Sequence, residues 1–290
     1  MSLDSMADIL HCMEQEGKEF WEVVLAADME ERQVSRESSL AKMLTTWQAM
    51  VDASDSYTGD RRSVSGLVGG DGLKMRQYAI RGKAMSGGYV SEVIAEALSM
   101  AESNACMRRI VAAPTAGACG VLPAVLLPLC KYEELNQRQI LEALYVASGI
   151  GAVIAYRACI AGAAGGCQAE IGTASAMAAG ALVALHGGSE KAIIHAAAMA
   201  IKNLLGLVCD PVAGLVEVPC VKRNVVGAMN ALSSADMALA GIESRIPPDQ
   251  VIDAMKEVGD QMNGSLKETG LGGLAGTPFG KEVAENFLGK

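Results

Sequence analysis

Residues 165–188 read GGCQAEIGTASAMAAGALVALHGG, and residues 202–224 read KNLLGLVCDPVAGLVEVPCVKRN. The first stretch is dominated by Ala, Gly and Ser. Few bulky side chains allow close approach between helices, so Ala169–Leu185 and the Ala-rich Glu190–Leu205 are expected to form the buried centre of a helical protein. The second stretch has no clean period over 206–221 and holds Pro211, Gly214 and Pro219, which predicts irregular backbone inside that protein. Long irregular segments in compact domains are usually functional. Each stretch carries cysteine beside a residue that frees or bends the chain: Cys167 after Gly165-Gly166, Cys209 before Asp210-Pro211, and Cys220 after Pro219 and just ahead of Lys222 and Arg223.

Working outward, helices are predicted over Arg36–Ala53, Tyr89–Arg109, Gln137–Ala158, Val225–Ala240 and Pro248–Met262. Residues 3–29 have helical spacing broken at Gly17. In Arg36–Ala53, Leu40, Met43, Leu44, Trp47 and Val51 are expected to share the core-facing side. Strand signals are nearly absent. Aromatics make up 4% of a chain that is 51% hydrophobic, so the apolar content is aliphatic and suits packed helices. The expected fold is all-α: a single helical domain with Gly-rich irregular loops around a site. Residues 1–56 are read as an N-terminal helical segment packed on the core, and 57–290 as the catalytic body.

Charge and motif content exclude several functions. A net charge of -9 argues against a nucleic-acid binder. The longest uncharged run, Ile110–Cys130, contains Pro114, Pro123 and Pro128 and is poor material for a membrane span. The acidic first 20 residues lack the apolar core of a signal peptide, which predicts a cytoplasmic protein whose 8 cysteines are not disulfides. With three histidines (His11, His186, His195) and no CxxC, HExxH or P-loop, cysteine is the one abundant soft ligand.

Four glycines in 63–72, Gly66, Gly69, Gly70 and Gly72, would let backbone N–H groups approach an anion, although a plain connecting loop fits that spacing equally well. The loop Pro114-Thr115-Ala116-Gly117 feeds an apolar run and would offer free N–H groups and the Thr115 hydroxyl to a carboxylate. Cys119 is either a core thiol or close to the site, while Cys106, Cys130 and Cys159 are read as packing. Cubane iron–sulfur clusters are held by thiolates, and three protein thiolates would leave one iron open as a Lewis acid. Spacing alone favours packing for all eight cysteines. His195 is a weak candidate for a base, since a lone histidine on an apolar stretch is more often a satisfied core residue.

The segments SGLVGGDGLKM (65–75), APTAGACG (113–120), GGCQAEIGTASAMAAGAL (165–182), 202–224 and ETGLGGLAGTP (268–278) strongly resemble the catalytic α chain of iron–sulfur-dependent bacterial L-serine dehydratases, over about Ser63 to Gly280. The resemblance implies an all-helical catalytic domain and deamination of L-serine to pyruvate and ammonia. It also implies a [4Fe-4S] cluster on Cys167, Cys209 and Cys220, no pyridoxal phosphate, and a small β subunit as partner in an oligomer. Under it, Ser65, Gly69, Gly70, Thr115, Ala116 and Gly117 are expected to cradle the substrate. Lys222 and Arg223 would balance the cluster's charge, with Lys222 a weak candidate for the base. The chain departs from the family at Ala164, where Glu is usual, and over Tyr156–Gly162, where Asn and Ser are usual. Its end, Phe287-Leu288-Gly289-Lys290, lacks the terminal cysteine of some single-chain members. These departures keep open a lyase for L-threonine or L-cysteine, and a non-enzymatic helical scaffold remains the alternative outside enzymes.

Overall fold

A computed structural model describes residues 3–288 apart from Lys83; Gly289 and Lys290, part of the C-terminal reading above, lie outside the described residues. Among the described residues there are thirteen α-helices and no β-strand, so the chain is all-α. In order they are α1 (Met6–Glu16), α2 (Phe20–Arg32), α3 (Arg36–Asp55), α4 (Asp71–Ile80), α5 (Gly87–Ala105), α6 (Val121–Tyr132), α7 (Gln137–Arg157), α8 (Gly162–Gly165), α9 (Thr173–Leu185), α10 (Glu190–Lys202), α11 (Cys220–Leu239), α12 (Pro248–Gln261) and α13 (Pro278–Leu288).

Local chemistry sets many of the ends. Ser5 and Ser189 accept from the amides of Asp8 and Ala192, and Asn136 and Gln139 form a reciprocal capping box. Gly17, at φ 62°, ends α1. The Ala-rich helix α9 is central: Thr173 through Val183 are all buried, and it packs against α6, α7, α10 and α11. Its small side chains let those neighbours come close. A Cβ on Gly151 of α7 would sit 2.9 Å from Met177 Sδ, and one on Gly227 of α11 would sit 2.8 Å from Val121 and 2.9 Å from Ile171.

Several expectations shift at the edges. In α3 the fully buried residues are Ser39, Ala49, Met50 and Ala53, while Leu40, Met43, Leu44, Trp47 and Val51 are half-buried, so the inward side is rotated. The helix expected from Val225 begins at Cys220, and the tail after the last Gly-rich loop is the helix α13. Helix α7 alone among the described residues is long and apolar enough to cross a membrane, yet 67% of its apolar window is buried in the protein.

Helix α4 begins over the carboxylate of Glu102 on α5. The amides of Asp71 and Gly72 donate to it at 2.8 and 3.2 Å, and the Tyr57 hydroxyl donates to it as well. The two helices touch at Gly72, where an added Cβ would stand 2.9 Å from the Ser99 amide and 3.0 Å from its Cα. Because that contact is with backbone, Gly72→Ala is expected to destabilise the protein by about 1–3 kcal/mol, read as a lower urea midpoint at unchanged m-value.

Candidate cluster site

Irregular backbone brings the cysteines together. Cys167 precedes a single π-helical turn, Gln168–Gly172, of a kind found frequently at functional sites. Gly166 enters that turn at φ 77°, with Leu207 O 3.0 Å from where its Cβ would be, so glycine is required there. The buried Gln168 ties the turn down. Its amide donates to Leu207 O (2.9 Å), its side-chain nitrogen donates to Met255 O (2.9 Å), and its side-chain oxygen accepts from the Gly206 amide (2.9 Å). The turn carrying Cys167 is thereby fastened to the segment carrying Cys209.

Cys209 is held in turn by the C-terminal Gly-rich loop. Its amide donates to Leu266 O (2.8 Å), and its carbonyl accepts from the Glu268 amide (2.7 Å). Asp210, 3% exposed, accepts from the Leu274 amide (2.8 Å) and pairs with Arg223 Nη2 at 2.8 Å. Arg223 also donates to Val208 O (2.8 Å) and reaches the Cys167 sulfur. Cys220 opens α11. One turn on, the buried Asn224 accepts from the Gly120 amide (2.8 Å) and donates to Gly117 O (2.8 Å) and Cys220 O (3.0 Å), joining α11 to the Thr115–Gly120 loop.

All three thiols are buried. Interaction with Cys209 lowers the pKa of Cys167, with help from Arg223, and the same interaction, with burial, raises that of Cys209. Burial pushes the Cys220 thiol up to about 12, and the Cys167 charge acts on it in the same direction. Glu170, on the π turn, accepts from the Thr115 hydroxyl (2.7 Å), and burial raises its carboxyl above the usual range. A Cβ on Gly162 would lie 2.8 Å from Glu170 Oε2 and 2.9 Å from Cys209 Sγ, so carboxylate and sulfur both pack against this glycine.

Among the described residues, no three His, Cys, Asp or Glu side chains close on one point as a single-ion site requires. The donors do fit a polynuclear iron–sulfur group, in which each thiolate holds a different iron. They are three buried thiols, of which Cys167 and Cys209 act directly on each other and Cys220 feels the Cys167 charge, with the Arg223 guanidinium beside Cys167 and no histidine in the set.

The other expected residues divide. Thr115 joins the site through Glu170, and the Cβ position of Gly117 is 3.2 Å from Glu170 Oε1, with Ala116 between them. Ser65 instead donates to Glu217, which also accepts from Ser63 (2.6 Å). Gly69 and Gly70 pack against Arg62, and Gly70 caps α4 over Glu102, so the anion at that glycine loop is the protein's own carboxylate. Lys222 is exposed and pairs with Asp71 (3.2 Å). His195 on α10 has a buried Nδ1 without a hydrogen-bond partner and no hydrogen bond to the cysteines. Cys119 is a core thiol on Met100 O (3.7 Å), pushed up to about 12 by burial. Ala164 is exposed on α8. Sequence reasoning missed Glu170, although it is the only Asp, Glu, Lys, Arg or His in residues 158–185.

The profile of the family described as serine dehydratase alpha chain matches residues 15–275. This chain belongs to the serine dehydratase alpha chain family. It is 46% identical over 268 residues to the probable L-serine dehydratase alpha chain of Bacillus subtilis (strain 168), covering 92% of this chain and 89% of that one. It is 41% identical over 287 residues to the L-serine dehydratase alpha chain of Peptoniphilus asaccharolyticus, covering 99% and 98%. The L-serine dehydratase 2 of Escherichia coli (strain K12) is 46% identical over 181 residues, which are 62% of this chain and 40% of that enzyme. The family match takes in the π turn, both irregular cysteine segments and most of the C-terminal loop.

Removing the cation that faces Asp210 would strand a buried carboxylate. Arg223→Met is expected to cost about 3–5 kcal/mol, measured by urea unfolding of the metal-free protein.

Proposed function

We propose that this chain is the catalytic chain of an L-serine dehydratase, converting L-serine to pyruvate and ammonia, with a [4Fe-4S] cluster held by Cys167, Cys209 and Cys220. The observation that supports the reading is that these cysteines, from three separate segments, are all buried, that Cys167 acts on the other two, and that Arg223 acts on Cys167 and Cys220. The names of the relatives supply the substrate. When bound, such a cluster with one iron free of protein ligands supplies a Lewis acid for the substrate hydroxyl and carboxylate.

The chain's own residues would prepare that place. Arg223 offsets negative charge on the sulfur side, and its pairing with Asp210 fixes where the guanidinium points. The Thr115–Gly117 loop, held by Asn224 and Glu170, is poised to receive the polar end of an amino acid. Loss of the α-proton and of hydroxide from L-serine gives aminoacrylate and water. Its imine tautomer then takes up water and releases pyruvate and ammonia, so the atoms balance without an oxidant. The reading needs no pyridoxal phosphate. It includes a small β subunit, since the relatives are named as alpha chains, and a cytoplasmic setting in which the cluster's thiols stay reduced.

Anaerobic purification with the partner subunit, followed by iron and sulfide analysis and a visible spectrum, tests the reading. Cys167→Ala, Cys209→Ala and Cys220→Ala are each expected to lose the brown chromophore, while Cys130→Ala keeps it. L-Serine should be turned over faster than L-threonine or L-cysteine in parallel pyruvate or 2-oxobutyrate assays. A protein that remains colourless and iron-free after reconstitution would leave the scaffold alternative standing. A second measurement concerns the partner: the chain alone, with its cluster reconstituted, is expected to be much less active than the pair, and equal activity would remove the β subunit from the reading.

A further inference from the structure

We propose that Glu170 holds the α-ammonium of the substrate and so selects an amino acid over the corresponding hydroxy acid; this rests on the dehydratase reading above. Three observations point the same way.

The first is the geometry of the carboxylate. Oε1 is fixed by the Thr115 hydroxyl, while among the described residues Oε2 accepts no hydrogen bond. Oε2 and Cys209 Sγ both lie against Gly162, where any Cβ would clash with the two of them. Glycine also lies on the Oε1 side, at Gly117. The oxygen left without a hydrogen bond is thus the one on the Cys209 side of the carboxylate.

The second is charge. Besides burial, the groups acting on Cys167, Cys209 and Cys220 are Cys167 and Cys209 themselves, Glu170, Glu268 and one cation, Arg223. That guanidinium is already shared among Asp210, the Val208 carbonyl and the Cys167 sulfur. The carboxylates there outnumber the cation, and among the described residues Glu170 pairs with no cation. A ligand bearing an ammonium supplies the missing countercharge, and the charge-assisted hydrogen bond to Oε2 is about twice as strong as a neutral one. Burial, with Glu268 acting in the same direction, raises the Glu170 carboxyl above its usual range.

The third is construction. Glu170 is the only acidic or basic residue of residues 158–185, and it sits on the π turn that also positions Cys167. A carboxylate needed only for solubility would not be turned inward onto Thr115 from such a segment.

The test uses the anaerobically reconstituted protein with its partner subunit, as wild type, Glu170→Gln and Thr115→Val. Iron and sulfide content checks the cluster. Binding is followed without turnover, as the change that L-glycerate, or L-serine at low temperature, makes in the spectrum of the cluster. L-Glycerate keeps the hydroxymethyl and carboxylate of L-serine but carries a hydroxyl in place of the ammonium. Glu170→Gln is expected to keep its cluster, bind L-serine about 10- to 100-fold more weakly, consistent with roughly 1.4–2.8 kcal/mol, and bind L-glycerate within about twofold of wild type. Thr115→Val, which releases Oε1 but leaves the carboxylate, should show a smaller loss for L-serine alone. Equal weakening of both ligands would overturn the proposal, as would unchanged L-serine binding with lost turnover, which would make Glu170 a proton acceptor instead. If Glu170→Gln cannot hold a cluster, Thr115→Val decides, and unchanged discrimination there overturns the proposal. A cluster-loaded wild type that neither binds nor converts L-serine removes the dehydratase reading and this inference together.

Discussion

A guanidinium buried among anions is the constraint on which the site depends. Arg223, with 14% of its side chain exposed, faces Asp210, with 4%, at 2.8 Å. Burying either charge alone would be costly, and burying both is tolerable only because each has further hydrogen bonds, Arg223 to Val208 O and Asp210 to the Leu274 amide. Those bonds run to three different parts of the chain: the segment before Cys209, the first turn of α11 after Cys220, and the C-terminal Gly-rich loop. Satisfying one ion pair therefore brings two cysteine segments into register, and the same guanidinium then reaches the third sulfur, Cys167.

Irregular backbone of this kind survives inside a protein only if its polar groups find partners and its neighbours leave room. The partners are Gln168 and Asn224, two buried amide side chains with both ends engaged, each bridging segments far apart in sequence. The room comes from glycine at particular points. A Cβ on Gly120 would meet Ala97 O at 2.8 Å, and one on Gly273 would meet Asp210 Cβ at 2.7 Å. Behind them, α9 supplies a floor of Ala, Ser and Gly so tightly surrounded that the loops above it rest on rigid structure. The plain helices and the disordered-looking loops are thus one device: the bundle is featureless so that the loops can be specific.

That division explains what could be read from the sequence. Helical period and small-residue content were enough for the all-α fold, for α7 and α12 nearly to the residue, and for the irregular stretch before Cys220. They were not enough for the site, because its contacts depend on which way single side chains turn. Lys222 and Arg223 look interchangeable as neighbours in a basic pair. Once α11 begins at Cys220 rather than at Val225, about 100° of helix separates them, and one points to Asp71 while the other points to Cys167. Gly69 and Gly70 were legible as part of an anion-receiving loop, but no local pattern says that the anion is Glu102, which lies 31 residues from Asp71 along the chain. Glu170 was visible as an isolated charge in an apolar run. Its meaning depended on Thr115, 55 residues earlier, and on a π turn that shifts it out of helical phase.

The two carboxylates placed against loop glycines show why the anion-receiving loop and the cysteine pocket take opposite ligands. Glu102 lies under helix N-terminal amides and accepts from two of them and from Tyr57, so its charge is answered by protein and nothing further is needed there. Glu170 lies in the first turn of the π segment but accepts from no backbone amide among the described residues, only from one neutral hydroxyl, with a thiol and another carboxylate as its electrostatic neighbours. The same residue type is therefore a finished structural cap in one loop and an unmet charge in the other. Burial of an unmet charge costs stability unless something arrives to pair with it. A protein that keeps such a group beside the buried Cys209 sulfur has built a place whose energy falls when a small cationic group enters.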